Sequence, residues 1–160
     1  MKQQESFMAQ SSDSLLIVDD DAMVRDLLFR YFSHFGFNAF PESSGKDALE
    51  WIDSHHVDIV LLDIEMPGMS GLDVLKILRK TYPPEELPVI MVTGRASSDD
   101  VEIALAAGAN DYVTKPISLP ALIARVQIQL SRKRKDEILR QNEDPRNPLL
   151  AKNATKAYNN

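Results

Sequence analysis

The chain is 160 residues long, enough for one domain that buries its own core, and at 44% hydrophobic and 26% charged it is neither disordered nor collagen-like in composition. It has no cysteine, which excludes disulfide frameworks, thiolate zinc sites and thiol nucleophiles and fits a reducing compartment, so a cytoplasmic location is expected. The net charge of −6 is uneven: residues 1–130 carry 10 Lys or Arg against 20 Asp or Glu, residues 131–160 carry 8 against 4, and so acidic a body opposes a general nucleic-acid surface.

Residues 1–13 are polar and Gln/Ser-rich and read as a mobile N-terminal arm, without the apolar stretch of a signal peptide. Residues 15–18 then form a short apolar run, read as the first strand. After it, Val24, Leu27, Leu28, Tyr31, Phe32 and Phe35 recur at helical spacing before Gly36, so one stripe of a helix should face a core. A second strand is expected at 37–40 and a second helix at 45–54, where Trp51 reads as packing. The most apolar run, 57–62, gives the third strand, and a third helix follows over 70–80. Pro83, Pro84 and Pro88 interrupt the chain before a strand at 89–92. A helix at 98–107 places Val101, Ala104, Leu105 and Gly108 at helical intervals, and 111–114 is the fifth strand.

The last helix is expected over 119–142, with Leu122, Val126 and Leu130 on one side. Beyond Leu130 the run Arg132-Lys133-Arg134-Lys135 reads as a solvated face, with Lys133 and Glu137 spaced for a surface pair, so this extension should project from the domain. The organisation expected is therefore an arm at 1–13, a domain at 14–130 and a basic helical extension and flexible tail at 131–160. No apolar run approaches a membrane span.

Five strand-helix repeats with continuously apolar strands imply right-handed crossovers and a parallel sheet covered on both faces, an α/β three-layer, doubly wound sandwich. Ligands of such sheets bind beyond the carboxyl ends of the strands. The residues there are Asp19, Asp20 and Asp21 after the first strand, Asp63 after the third, Thr93 after the fourth and Lys115 after the fifth. Singly each has a plain structural reading, the Asp triplet as a helix cap, for instance. Together they are chemically coherent. Carboxylates of Asp19, Asp20 and Asp63 converging at about 4 Å would repel by about 4 kcal/mol per pair at an effective dielectric of 20, which calls for a hard divalent cation with oxygen ligands, most naturally Mg2+. Thr93 and Lys115 would then meet the oxygens of a phosphoryl group, and Asp63, entering a loop with Pro67, Gly68 and Gly71, is the candidate nucleophile.

The segments Ile17-Val18-Asp19-Asp20-Asp21, Asp63-Ile64-Glu65-Met66-Pro67-Gly68-Met69-Ser70-Gly71, Val92-Thr93-Gly94 and Tyr112-Val113-Thr114-Lys115-Pro116 resemble the receiver domain of two-component response regulators, over about residues 14–130. The resemblance implies a five-stranded sheet of order 2-1-3-4-5. It implies that Asp63 is the phosphoacceptor, that Asp20 and Asp63 give carboxylate oxygens to Mg2+ with Asp19 acting mainly through a water, and that Glu65 supplies its backbone carbonyl. Thr93 and Lys115 would contact the phosphoryl oxygens, the Lys115–Pro116 peptide would be cis, and Tyr112 would be the aromatic switch position. Glu65 and Arg95 occupy positions that influence water access in this family, and a Glu65–Arg95 ion pair is expected there.

The implied partners are a sensor histidine kinase or a histidine phosphotransfer protein, and a downstream effector reached through the face of the fourth helix, fifth strand and fifth helix, with room for a homodimer. Neither nucleic acid nor membrane is expected as a direct partner. The alternative is a Mg2+-dependent phosphatase with an Asp nucleophile, although Asp63-Ile64-Glu65-Met66-Pro67 departs from the Asp-x-Asp-x-Thr context such enzymes need. His34, His55 and His56 lack ligand spacing and are not read as a metal or phosphorelay site.

Overall fold

The computed structural model describes residues 12–94 and 97–148. Strands and helices alternate throughout: β1 (Ser14–Val18), α1 (Ala22–His34), β2 (Asn38–Glu42), α2 (Gly45–Ser54), β3 (Ile59–Leu62), α3 (Gly71–Leu78), β4 (Val89–Thr93), α4 (Ser98–Ala106), β5 (Asp111–Thr114) and α5 (Leu119–Glu143). The five strands are all parallel, in the order β2-β1-β3-β4-β5. From β1 the chain winds outward to β2 on one side and returns to β3 on the other, so the topological switch lies between β1 and β3.

Alternate strand residues divide the core in two. Leu16, Val60, Leu62 and Met91 face α2, α3 and α4, while Leu15, Ile17, Ile59, Leu61 and Ile90 face α1 and α5. Burial on both faces is why β1, β3 and β4 are continuously apolar. Side-chain oxygens of Asp21, Ser44, Ser70 and Ser97 accept backbone N–H groups at the starts of α1 to α4. At the start of α3 the bond is returned, Asp73 accepting from the Ser70 N–H at 3.1 Å.

Several expected boundaries shift for local reasons. β2 runs from Asn38 to Glu42 and includes Pro41, whose missing N–H is tolerated because β2 is an edge strand. β3 begins at Ile59, because Asp58 turns its carboxylate to the Ser14 N–H (2.8 Å) at the foot of β1. α3 stops at Leu78, where Lys80 and Thr81 donate to Ile77 and Leu78 in tight i→i−3 bonds. The apolar stripes are narrower than their spacing suggests: Leu27 and Leu105 are about half exposed, and Leu28, Phe32 and Ala104 make the buried contacts. Trp51 packs as expected, its ring 4.8 Å from that of Phe40.

The largest correction concerns the basic extension. Lys133 is 7% exposed, and its ammonium binds Asp58 Oδ1 at 3.2 Å instead of forming a surface pair with Glu137. Arg134 pairs with Asp13, and Arg140 reaches Glu85 (3.1 Å) and Glu86 (3.0 Å). The helix is therefore tied along the foot of the sheet and does not project freely, because acidic groups of the body lie under its basic face. The expected arm at residues 1–11 and the tail at 149–160 fall outside the described residues. No helix among the described residues is long and apolar enough to cross a membrane.

Candidate functional site

The parallel ladder continues one rung past the strands. The Asp19 N–H donates to the Glu42 carbonyl (3.2 Å), the Asp63 N–H to the Val18 carbonyl (2.9 Å) and the Lys115 N–H to the Thr93 carbonyl (2.8 Å). Asp19, Asp63, Thr93 and Lys115 are thereby aligned along the carboxyl edge of the sheet, with Asp19 and Asp63 on either side of the switch. One carboxylate oxygen from each of Asp19, Asp20 and Asp63 lies within 4.8 Å of the others. Asp19 and Asp63 are buried, at 2% and 4% exposure, whereas Asp20 is open to solvent.

One ammonium faces these three acids. Lys115 Nζ lies 2.8 Å from Asp19 Oδ2 and 3.5 Å from Asp63 Oδ2. The Asp21 N–H donates to Asp19 Oδ1 at 2.9 Å and the Glu65 N–H to Asp63 Oδ1 at 3.3 Å. Compensation is incomplete. Burial, and then the neighbouring Asp19 charge, push the Asp63 carboxyl up to about 6 against the opposing pull of Lys115 and the Glu65 N–H. Burial also works against the Lys115 charge, but its bonds to Asp19 and Asp63 outweigh this and its pKa is raised.

Such a site, with three carboxylates short of positive charge and open on the Asp20 side, could hold a metal cation between Asp19, Asp20 and Asp63, and its oxygen donors suit a hard divalent ion. It is the only His, Cys, Asp or Glu group of that kind among the described residues.

The structure thus brings together Asp19, Asp20, Asp63 and Lys115, with Thr93 fully buried beside them. Glu65 is exposed at the mouth, and the Lys115–Pro116 peptide is cis. Tyr112 is half-buried on β5, packed on the α2–α4 side of the sheet beside its strand partner Met91. The expected Glu65–Arg95 pair lies outside the described residues, since Arg95 is not among them. The histidines are elsewhere: His55 stacks on Trp51 at 3.8 Å, His56 binds Asp58 at 2.8 Å, and His34 sits edge-on to Phe35.

Two residues support the site through the backbone, Gly71 of the loop already singled out after Asp63 and Arg25, which the sequence reading did not place there. Gly71, first residue of α3, donates its N–H to the Ile64 carbonyl (2.9 Å) and lies so near the preceding loop that a Cβ would stand 2.0 Å from the Asp63 carbonyl oxygen. Arg25, on α1, donates from Nη1 to the Asp19 carbonyl at 2.8 Å. Its only trace in the sequence is a cation four residues after the capping Asp21, one helical turn along.

A family model described as the response regulator receiver domain matches residues 15–127. The regulatory protein VanR of Enterococcus faecium is 40% identical over 134 residues, 83% of this chain, and the chain spans 57% of that relative's length. Among solved structures, a CheY-like response regulator receiver domain protein from Methanospirillum hungatei JF-1 is similar with a TM-score of 0.74 and 29% identity, covering 79% of this chain and 99% of that one. The receiver domain of the Francisella response regulator 1452 aligns at 0.70 with 33% identity, over 75% and 98% of the two chains.

Proposed function

The chain belongs to the response regulator receiver family, and from that membership we propose that it is a phosphorylation-controlled switch whose phosphoacceptor is Asp63. The observation that carries this reading is the placement of the Asp63 carboxylate: buried at the topological switch, beside Asp19 and Asp20, with the Lys115 ammonium 3.5 Å from its Oδ2.

In the reaction proposed, a carboxylate oxygen of Asp63 attacks phosphorus of a phosphohistidine, the P–N bond breaks, and the electron pair returns to the imidazole, which takes up a proton. An acyl phosphate is left on Asp63. A bound Mg2+ supplies charge neutralisation at the phosphoryl oxygens. Lys115 gives the same oxygens an ammonium donor once its bond to Asp63 is exchanged, and Thr93, at the end of β4, offers a hydroxyl on the neighbouring rung. Asp19 is pinned beside Asp63 by Lys115 and the Asp21 N–H.

The proposed donor is a cognate histidine kinase or a histidine phosphotransfer protein. Movement of Thr93 toward the phosphoryl group is proposed to redirect Tyr112, altering the α4-β5-α5 face and the affinity for a downstream effector or for a second copy. Residues 14–130 are proposed as the switching unit, with α5 beyond Leu130 as the link from it.

Incubation with Mg2+ and acetyl phosphate tests the reading. One added phosphoryl group per chain is expected by intact-mass spectrometry, absent in Asp63→Asn and without Mg2+. Multiple turnover with no adduct would favour a phosphatase instead, and an adduct persisting in Asp63→Asn would move the acceptor elsewhere.

A further inference from the structure

We propose that Arg25 is a positioning residue for the metal-binding loop, acting by fixing the peptide that joins Asp19 to Asp20. The inference rests on the reading of Asp19, Asp20 and Asp63 as the Mg2+ site.

Asp19 is held firmly without Arg25. Its N–H is bonded to the Glu42 carbonyl (3.2 Å), its Oδ1 to the Asp21 N–H (2.9 Å) and its Oδ2 to Lys115 (2.8 Å). Asp20 is different. Its carboxylate is exposed and takes no hydrogen bond or ion pair from the described residues, so the backbone alone aims it into the cluster. The Asp19 carbonyl belongs to the peptide plane that carries the Asp20 N–H and ends at the Asp20 Cα, so the orientation of that carbonyl sets where the Asp20 side chain starts. Arg25 Nη1 binds this carbonyl at 2.8 Å, reaching back from a helix already anchored by its own N–H to the Asp21 carbonyl (3.0 Å). The half-buried guanidinium therefore couples α1 to the direction of the one metal ligand that nothing else holds.

The charge of Arg25 acts in the opposite sense. A cation near the pocket repels a dication, so on electrostatic grounds alone its removal would tighten Mg2+ binding. Positioning predicts that removal weakens it, and the sign of the change separates the two effects.

Mg2+ is titrated calorimetrically into the wild type, Arg25→Met and Arg25→Lys, all well below their metal-free melting midpoints. About a 10-fold loss of Mg2+ affinity is expected in Arg25→Met, the scale of lost outer-shell support, with part of the loss restored by Arg25→Lys, which keeps a donor. The Asp20 amide resonance should broaden in metal-free Arg25→Met. Should Arg25→Met not fold, Arg25→Leu, likewise uncharged and without a donor, is held to the same criterion. Unchanged or tighter binding in the uncharged variant, with the wild type binding normally, overturns the role of Arg25 and leaves the site intact. A wild type that takes up no Mg2+ overturns both.

Discussion

Gly71 lies against the backbone of Asp63, so closely that a methyl group on it would stand 2.0 Å from the Asp63 carbonyl oxygen and 2.8 Å from the Asp63 carbonyl carbon. The atom it would strike is main chain, which cannot swing aside as a side chain can. At Gly45 the first clash is with Val74 Cγ2, and at Gly68 there is nothing within 4 Å and only the positive φ of +78° to oppose a side chain. These three glycines should therefore fail differently. Gly71→Ala is expected to cost about 2–3 kcal/mol, the range for forcing backbone shifts in a packed site, and to slow phosphorylation by acetyl phosphate more than about 10-fold as Asp63 is displaced. Gly68→Ala should cost about 1 kcal/mol through its φ alone and leave the phosphorylation rate near that of wild type. Chemical denaturation and adduct formation, measured side by side, check both.

The raised pKa of Asp63 makes a prediction with a definite sign. An acid whose folded pKa is about 6 against an ordinary value near 3.8 binds more protons folded than unfolded between those values, so stability falls as pH rises through that window. Above pH 6 the ionised carboxylate weighs fully against the metal-free fold. Asp63→Asn removes that titration and should raise the stability of the metal-free protein by about 3 kcal/mol at pH 7.5, with the gain shrinking to nothing toward pH 4. Millimolar Mg2+ should raise the melting midpoint of the wild type well above any change in the Asn variant. Melting curves across pH, with and without Mg2+, decide this, and a variant less stable than wild type at pH 7.5 would contradict the account.

The site and the fold differ in how far the sequence exposed them. Asp19, Asp63 and Thr93 were legible because each ends a continuously apolar run, Lys115 because it follows the short run Tyr112-Val113 before Pro116, and a parallel sheet forces such ends onto one edge. Partners set by distance across the fold were not. Lys133 and Glu137 have the spacing of a surface pair, yet Asp58, 75 residues earlier, captures Lys133 because the foot of β3 passes beneath α5. Leu27 and Leu105 match the helical period but stay about half exposed, since periodicity gives a direction and not the width of the surface it meets. Gly71 was legible as part of the loop that presents Asp63, but its contact with the Asp63 backbone was not, and Arg25, which acts on a main-chain carbonyl, leaves no complementary side chain to be found in the sequence.

Arg79 shows the same at the opposite end of the sheet. Its guanidinium donates to the carbonyls of Gly108 (2.8 Å), Tyr82 (2.9 Å) and Leu87 (3.0 Å) and to Asn110 Oδ1 (3.0 Å), joining the end of α3 to the turns before β4 and β5. Burial draws its pKa down to about 10, with Glu85 opposing, so it remains charged at neutral pH. Its value lies in a planar fork that serves several carbonyls at once, which an ammonium cannot copy. Arg79→Lys is expected to lose about 2 kcal/mol and Arg79→Met about 3 kcal/mol in urea denaturation, with Mg2+ affinity unchanged in both, since the site is at the other edge of the sheet. A lysine variant as stable as wild type would show that charge alone suffices.

The Lys133–Asp58 pair allows the coupling of α5 to the body to be measured. Burial opposes ionisation of Asp58, but the Ser14 N–H, His56 and Lys133 outweigh it and hold its pKa below the ordinary 3.8. A carboxyl with a depressed folded pKa contributes stability that is present above its unfolded pKa and lost as pH falls through its folded one. Asp58→Asn should therefore be destabilised by about 1–2 kcal/mol at pH 7 and should converge with wild type in the acid range below pH 3.8. Lys133→Met leaves the carboxylate its Ser14 and His56 bonds and should cost a similar amount. The double variant should lose less than the two costs combined, because each single change removes the same contact. Arg140, whose links to Glu85 and Glu86 are half exposed, should contribute no more than about 1 kcal/mol on replacement by alanine. Additive losses for Asp58 and Lys133 would mean that the two side chains do not stabilise the fold through each other, Asp58 acting instead through the Ser14 N–H and His56.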